Sequence, residues 1–221
     1  MIYTEHGFLM YKISAIAAGA KPVKADENNR VASVDNILAR VSNTTRIVFL
    51  ANPNNPTGTM IGLDEIKRLR KKLCPNILLV LDGAYAEYIE NFDGGLSFVE
   101  NYDNLIILRT FSKIYGLAAL RIGWSYSSNS ITQILNRVRG PFNVSSPAIA
   151  AATAAVLDCD YTRHCVAENL RNREWLSKQL KQLGLSTTNS KANFLLVDFC
   201  SENQANKAFD FLKNQNICIF L

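Results

Sequence analysis

The chain is poor in the side chains that usually build metal centres and histidine-based active sites. It contains only two histidines, His6 and His164, which argues against a His-rich metal site or catalysis by histidine. Both are predicted to be ordinary surface or packing residues. The five cysteines are an odd number and form no C-x-x-C pair, which argues against a disulfide framework and against a zinc site. We therefore expect no metal ion and a reducing, cytoplasmic environment.

Long apolar runs are missing as well. No run approaches the roughly 18 residues that a membrane-spanning helix needs, and no basic segment followed by an apolar stretch opens the chain, so neither membrane insertion nor secretion is predicted.

The formal net charge is +5, and the basic run at 67–72 raises the question of nucleic-acid binding. Apolar residues recur through that run at helical spacing. Its charges are therefore predicted to be the solvated face of a helix, with no nucleic-acid partner.

What is present is an alternation of strand and helix signals in a chain of 221 residues that is 48% hydrophobic. This β-α-β order predicts an α/β fold with a mostly parallel sheet and helices on both faces. Strands are predicted near 2–3, 22–24, 47–51, 77–81, 105–108, 120–126, 194–199 and 217–220. Helices are predicted near 10–18, 34–41, 63–73, 131–139, 145–157, 161–183 and 204–214.

Polar groups follow three of the predicted strands, those that begin at Ile47, Ile77 and Leu105. Each of these strands is a short, wholly apolar run, which is typical of a strand buried on both faces. In an open parallel sheet the carboxyl ends of the strands meet at one edge, where ligands bind. The side chains expected to converge there are Asn55, Asp82, Tyr85 and Lys113.

Lys113 lies among hydroxyl groups, with an arginine eight residues later. A lysine amine attacks an aldehyde only when it is deprotonated, which a semi-buried position among apolar neighbours favours. The hydroxyls of Thr110 and Ser112 and the guanidinium of Arg121 match the geometry of a phosphate. An aldehyde beside a phosphate describes pyridoxal 5′-phosphate. An ordinary lysine in a polar loop before a helix is the alternative.

The groups at the other strand ends suit the same cofactor. A carboxylate that faces the pyridine nitrogen keeps this nitrogen protonated, and Asp82 is predicted to do so. A phenol and an amide that hydrogen-bond the 3′-oxygen hold the plane of the ring, and Tyr85 and Asn55 are the groups at hand. The alternative for Asp82 is a helix N-cap, a common use of aspartate after a strand.

Together these segments resemble the fold-type I aminotransferases of classes I and II, and within them the histidinol-phosphate group. The matching pieces are N-P-N-N-P-T-G, L-D-x-A-Y and T-x-S-K-x-x-G-L-x-x-L-R-x-G. The resemblance implies that Lys113 forms the Schiff base with pyridoxal 5′-phosphate and that Asp82 pairs with its ring nitrogen. It also implies that Asn55 and Tyr85 contact the 3′-oxygen.

The resemblance implies two further sets of contacts. The family's phosphate-binding cup corresponds here to Thr110, Ser112 and Arg121. Near the start of the chain, H-G-F-L-M-Y resembles the family's P-T-[YF]-x-x-Y segment, whose first aromatic stacks on the cofactor ring. Phe8 is therefore the stacking candidate, with plain core packing as the alternative for this residue.

For the whole protein, the resemblance implies transamination of histidinol phosphate with 2-oxoglutarate in a homodimer. Aromatic or aspartate-type aminotransferases, threonine-phosphate decarboxylase and an inactive truncated remnant remain open. Members of the family are longer than this chain, so a partial chain is expected. Its expected units are an incomplete cofactor-binding large domain at 1–145, connecting helices at 146–185, and part of a small α/β domain at 186–221.

Overall fold

A six-stranded sheet forms the centre of the structure, which is a computed structural model describing residues 1–219. The strands in these residues are β1 (Ile2–Thr4), β2 (Val23–Ala25), β3 (Glu27–Asn28), β4 (Val31–Ala32), β5 (Ile47–Ala51), β6 (Leu78–Asp82), β7 (Leu105–Thr110), β8 (Gly123–Ser127), β9 (Ser186–Thr187) and β10 (Val197–Asp198). The helices are α1 (Leu9–Ala17), α2 (Val34–Ala39), α3 (Leu63–Lys72), α4 (Asn129–Val138), α5 (Ser146–Leu157), α6 (Cys159–Gln182) and α7 (Glu202–Asn214). Short 3₁₀ helices occupy Ala86–Tyr88, Leu96–Asn101 and Ala118–Leu120.

The order of strands across the sheet is β2-β1-β5-β6-β7-β8. The first five run parallel to one another, and β8 runs antiparallel to β7 at the edge. The predicted α/β fold with a mostly parallel sheet is therefore confirmed. Because β1 lies between β2 and β5, the chain changes the direction in which it adds strands at β1. The connections that leave β1 and β5 lead to opposite faces of the sheet, and the crevice at such a switch point is where ligands bind.

One face of the sheet carries the hydrophobic core. Alternate residues of the central strands, such as Leu79 and Ile107, are fully buried and cluster with Leu69 of α3. Burying a side chain of this size contributes about 1.5–3 kcal/mol. The opposite face receives α1 through Tyr11, whose ring stacks on that of Phe49 in β5. Helices thus cover both faces, as the wholly apolar strands predict.

Three predicted strands are shorter in the structure or missing. The strand predicted at 120–126 begins only beyond Arg121, because this residue has a positive φ of 52°, which an extended strand excludes. The strand predicted at 194–199 is reduced to the two residues of β10, which pair with the equally short β9. Residues 217–219 form no strand, so that prediction is wrong for them, and Phe220 lies outside the described residues.

A short hairpin formed by β3 and β4 is not predicted by the sequence pattern. Its turn consists of Asn29 and Arg30, which both have positive φ angles, 51° and 64°. Two-residue turns of this kind match the twist of the flanking strands, and asparagine tolerates the conformation. Strands of two residues are too short to show an alternating hydrophobic pattern, so only the turn chemistry could have indicated the hairpin.

The basic run at 67–72 lies on α3, and one of its charges is not solvated as predicted. Arg70 is only 3% exposed. Its guanidinium donates at 2.7 to 3.3 Å to the carbonyl oxygens of Leu73, Cys74, Ile77 and Asn104. A helix leaves its last four carbonyl groups unpaired. Arg70 therefore satisfies backbone groups after α3 and at the starts of β6 and β7, where a polar solvated face was expected.

We expect Arg70→Met to lower the free energy of unfolding by about 2–3 kcal/mol, because methionine keeps the apolar stem but removes the guanidinium donor from the buried carbonyls of Leu73 and Ile77. Urea denaturation of the two proteins measures the difference. The matched control is Arg68→Met on the same helix, which removes the solvent-exposed ion pairs with Glu65 and Asp35 and should change stability far less. Equal losses for the two variants would contradict the role given to Arg70.

The Ala-rich helix α5 is packed along one stripe only. Ala148 and Ala152, one turn apart, are buried, whereas Ile149 and Leu157 are 54% and 75% exposed. The helix is therefore packed on one side only. Among the described residues, no helix has both the length and the apolar character needed to cross a bilayer.

Candidate active site

The segments that carry the predicted site residues leave the sheet at one edge. At the ends of β5 and β6, Ala51 lies opposite Asp82, and Asp82 lies opposite Leu108 of β7. Because these strands are parallel and in register, the chain leaves all three at the same edge. Side chains that are far apart in the sequence are brought together there.

Lys113 and Asn55 both contact Tyr85 at this edge. Lys113 Nζ is 5.1 Å from the centre of the Tyr85 ring, and Asn55 Nδ2 donates to the Tyr85 hydroxyl at 3.1 Å. Tyr85 is buried, whereas Lys113 and Asn55 are half-buried. The ring of Phe194 meets that of Tyr85 edge-on, with 5.2 Å between the ring centres. The predicted amine, phenol and amide are therefore brought together by the fold.

The N-P-N-N-P-T-G loop after β5 is held by the amides of its own asparagines. Asn52 accepts from the N–H of Ile61 at 2.8 Å and donates to the carbonyl of the same residue at 3.0 Å. Asn54 Nδ2 donates to the carbonyl of His6 at 3.1 Å. Both asparagines are buried. The loop thus presents Asn55 from a fixed turn that is tied to the segment following β1.

Asp82 holds one hydrogen bond through each of its carboxylate oxygens. Oδ1 accepts from the N–H of Ala84 at 3.0 Å, and Oδ2 accepts from the hydroxyl of Tyr11 at 2.5 Å. The first contact is local capping of the backbone, in a turn rather than at the start of an α-helix. The second contact is long-range and comes from α1. Sequence reasoning did not identify Tyr11, although Tyr11 is the second aromatic of the H-G-F-L-M-Y segment.

Phe8 is not a core residue. It immediately precedes α1, is 42% exposed, and meets Tyr11 edge-on with 5.9 Å between the ring centres. Plain core packing is therefore excluded for Phe8, and its stacking role stays a prediction.

His6 and His164 are exposed, as expected for surface residues, and His6 Nδ1 hydrogen-bonds Glu27 at 2.9 Å.

The predicted phosphate-binding side chains lie at the end of β7 and beyond it. Thr110 Oγ1 accepts from the N–H of Ser112 at 3.0 Å, and both residues are half-buried. Arg121 is exposed and donates to the carbonyl of Ala118 at 2.7 Å. A guanidinium has five N–H donors, so this contact occupies a small part of its capacity. Among the described residues, no hydrogen bond joins Arg121 to either hydroxyl.

Residues that follow α6 contact the same loop. The Thr188 hydroxyl donates to the Thr57 carbonyl at 2.5 Å, and the N–H of Lys191 donates to the Gly58 carbonyl at 2.7 Å. Gly58 has a φ of +70°, and a Cβ at this position would lie 2.1 Å from Ser190 Oγ, so both conformation and space require glycine. The loop that carries Asn55 is thus supported by a distant part of the chain.

Arg109 of β7 is a second residue that the sequence pattern does not single out. It is 7% exposed, its Nη1 lies 3.3 Å from Glu87 Oε1, and its Nη2 donates to the Asp93 carbonyl at 2.7 Å. Burial raises the pKa of Glu87, and the charge of Arg109 opposes this rise. Gly94 makes room for the guanidinium, since a Cβ there would lie 2.4 Å from Nη2. The pair ties β7 to the segment that begins with Tyr85.

An open concavity of about 760 Å³ borders the start of β8, where Gly123 pairs with Thr110. Its lining comes from β8, α4, α5 and the loop that contains the 98% exposed Phe142. None of the predicted site residues lines it. The candidate site is therefore recognised by convergent polar groups and not by the volume of a cavity.

A sequence model of one protein family matches almost the whole chain. The family is described as aminotransferase class I and II, and the match covers residues 2–220. The chain belongs to the class I and II aminotransferases. The resemblance carried by the asparagine loop and by the segment around Lys113 is thereby confirmed.

Among the relatives of this aminotransferase chain are bacterial proteins. Histidinol-phosphate aminotransferase of Dinoroseobacter shibae is 53% identical over 99% of this chain and 61% of the relative, and that of Ruegeria sp. strain TM1040 is 51% identical over 99% and 60%. The crystal structure of histidinol-phosphate aminotransferase from Sinorhizobium meliloti in complex with pyridoxal-5′-phosphate matches with a TM-score of 0.93 at 27% identity, over 99% of this chain and 61% of that one. The chain thus spans about 60% of the length of these relatives.

Proposed function

We propose that the chain is part of a pyridoxal-phosphate-dependent aminotransferase that transfers the amino group of histidinol phosphate to 2-oxoglutarate. The observation that carries the proposal is the meeting of Lys113, Tyr85 and Asn55 at the edge of the sheet, with Asp82 at a neighbouring strand end. The choice of substrate is supported by the relatives that bear this enzyme's name and are 53% and 51% identical.

The donor set of the site fits this cofactor. It offers an amine for the aldehyde, a carboxylate for the ring nitrogen, an amide and a phenol for the 3′-oxygen, and two hydroxyls with a guanidinium for the phosphate. The exposed ring of Phe8 lies beside Tyr11, which donates to Asp82, and offers a face for stacking on a planar ligand. The residues proposed to hold the cofactor are Phe8, Asn55, Asp82, Tyr85, Thr110, Ser112 and Arg121, with Lys113 as the catalytic residue.

When bound, the cofactor withdraws the electrons left behind when the substrate α-carbon loses a proton. Lys113 Nζ accepts that proton as a general base and donates it again as a general acid. Lys113 is half-buried, and its Nζ lies above the face of the Tyr85 ring. The amine is therefore held at the site. Asp82, as an anion, favours a protonated ring nitrogen, and its two existing hydrogen bonds leave acceptor capacity on both oxygens.

We also propose that the enzyme is a cytoplasmic homodimer. Apolar side chains on α4 and just after it are widely exposed, with Ile134, Val138 and Phe142 at 54%, 74% and 98%. Exposed apolar patches of this kind support an interaction surface.

The proposed cytoplasmic location is supported by the cysteines. All five are free thiols, which suits a reducing compartment. The division into units at 1–145, 146–185 and 186–221 is part of the same proposal.

Amino-donor assays on the chain supplied with pyridoxal phosphate test the substrate. The donors compared are histidinol phosphate, aspartate and an aromatic amino acid, each with 2-oxoglutarate, and the readout is glutamate. We expect histidinol phosphate to give the highest rate. Threonine phosphate is added in a separate assay that measures release of carbon dioxide.

Each alternative has its own outcome in these assays. A higher rate with aspartate or with the aromatic amino acid would replace the proposed substrate within the same reaction class. Carbon dioxide from threonine phosphate would identify a decarboxylase. A folded chain that fails to bind pyridoxal phosphate would identify an inactive remnant and overturn the proposal for these 221 residues.

A further inference from the structure

Helix α1 touches the sheet through very few side chains, and Tyr11 is the largest of them. Only Tyr11 and Ala15 are buried in this helix, at 6% and 7% exposure, whereas Leu9, Ile13 and Ile16 are largely exposed. Tyr11 is thus the main buried contact by which the segment after β1 is fixed on the sheet.

The ring of Tyr11 is held on two sides. It stacks on Phe49 with 4.7 Å between the ring centres and 17° between the planes, and Phe8 meets it edge-on at 5.9 Å. These contacts leave the hydroxyl at a defined point, 2.5 Å from Asp82 Oδ2. Burial and the nearby Asp82 charge raise the pKa of Tyr11, so the phenol keeps its proton and acts as the donor in this bond.

The carboxylate of Asp82 is consequently fixed at both oxygens. Its Oδ1 accepts from the N–H of Ala84 at 3.0 Å, and its Oδ2 accepts from Tyr11. A carboxylate held by a single donor can rotate about its terminal bond, whereas two donors from different elements define its plane. Each oxygen retains a further lone pair for a ligand.

We propose that Tyr11 is a positioning residue that orients the Asp82 carboxylate toward the ring nitrogen of the bound cofactor. This role rests on the proposed binding of pyridoxal phosphate. Tyr11 acts through Asp82, and the same ring that orients the carboxylate supports Phe8, the stacking candidate. One residue of α1 would thus set the positions of two groups that hold the cofactor.

The test compares Tyr11→Phe with the unaltered chain in binding pyridoxal phosphate. Phenylalanine keeps the stacking on Phe49 and removes only the hydroxyl. Loss of a hydrogen bond to a charged group is expected to weaken binding about 10-fold or more. With the cofactor labelled with ¹⁵N in its ring, the nitrogen resonance of the variant should titrate at a lower pH, because the carboxylate no longer holds the ring proton in a fixed geometry.

Matched variants separate positioning from packing. In an Asp82→Asn background, adding Tyr11→Phe should change neither the affinity nor the ring-nitrogen signal further. Phe49→Leu loosens the stack but keeps the hydroxyl, so it should leave the titration of the nitrogen in place. Tyr102→Phe removes a phenol at the opposite end of the sheet, before β7, and should change neither measurement.

The possible results are distinguishable. Unchanged affinity and titration in Tyr11→Phe, while the unaltered chain binds the cofactor, would overturn the role of Tyr11 and leave the proposed function standing. A titration shift in Phe49→Leu equal to that in Tyr11→Phe would also overturn it, since packing alone would then account for the effect. Absence of binding by the unaltered chain would overturn the proposed function and this role together.

Discussion

Lys113→Ala is expected to abolish covalent attachment of pyridoxal phosphate. Loss of the proton-transferring amine alone should lower the rate of transamination by about 10²- to 10⁴-fold. Lys113 is the amine that lies above the Tyr85 ring, and alanine leaves the hydrogen-bonded pair of Tyr85 and Asn55 without it. Borohydride reduction followed by mass analysis of the peptide containing Lys113 measures attachment, and the glutamate assay measures the rate.

Two further variants control for charge and for the general effect of removing a lysine. Lys113→Arg keeps a cation at the Tyr85 ring but has no nucleophilic amine, so it should also fail to attach the cofactor. Lys191→Ala removes another half-buried lysine, in the segment that contacts the asparagine loop, and should keep attachment. Borohydride-fixed cofactor on a different lysine in the unaltered chain would refute the assignment.

Arg109→Met is expected to lower the free energy of unfolding by about 3–5 kcal/mol, because it leaves the Glu87 carboxylate buried without its partner. The side chains of Arg109 and Glu87 are 4% and 14% exposed, so solvent screens the pair only weakly. The Asp93 carbonyl loses its donor as well. Thermal or urea denaturation measures the loss.

The loss in Arg109→Met should also depend on pH. Burial already raises the pKa of Glu87 above its ordinary value of 4.5, and removal of Arg109 raises it further. A carboxyl whose pKa is raised by folding stabilises the native state when protonated, and that contribution is lost as pH rises through the folded-state pKa. The deficit of the variant should therefore be largest at neutral and alkaline pH and should shrink as the pH falls toward 4.5.

A double variant and an exposed ion pair provide the controls. Arg109→Met combined with Glu87→Leu removes both charges and should be more stable than Arg109→Met alone. Arg40→Met breaks the exposed pair with Asp26 and should have a small effect that does not vary in this way with pH. A deficit in Arg109→Met that grows as the pH falls would contradict the explanation.

These two variants separate the chemistry of the site from its support. Lys113 lies at the site itself, whereas Arg109 acts on the segment that carries Tyr85, through Glu87 two residues further along the chain. The cluster also depends on a distant support, since Thr188 and Lys191 bond the asparagine loop from beyond α6. The site is thus assembled from segments spread over most of the described chain.

The sequence by itself determined the sheet, the family and the residues that converge on its edge. Wholly apolar runs such as 105–108 that alternate with helices are typical of a parallel sheet covered on both faces, and parallel strands deliver their carboxyl ends to one edge. This is why Asn55, Tyr85 and Lys113 could be placed together from local patterns alone. The site motifs are short and contiguous, so their spacing is visible without a structure.

The tertiary structure alone decided which polar side chains are buried and what they bond. Tyr11 reaches Asp82 across 71 positions of sequence, and Arg109 reaches Glu87 between two separate segments. Arg70 looks like one more charge on a basic helix until its carbonyl partners are seen. Such contacts leave no periodic trace, because they depend on where two elements meet in space and not on the order of residues within either of them.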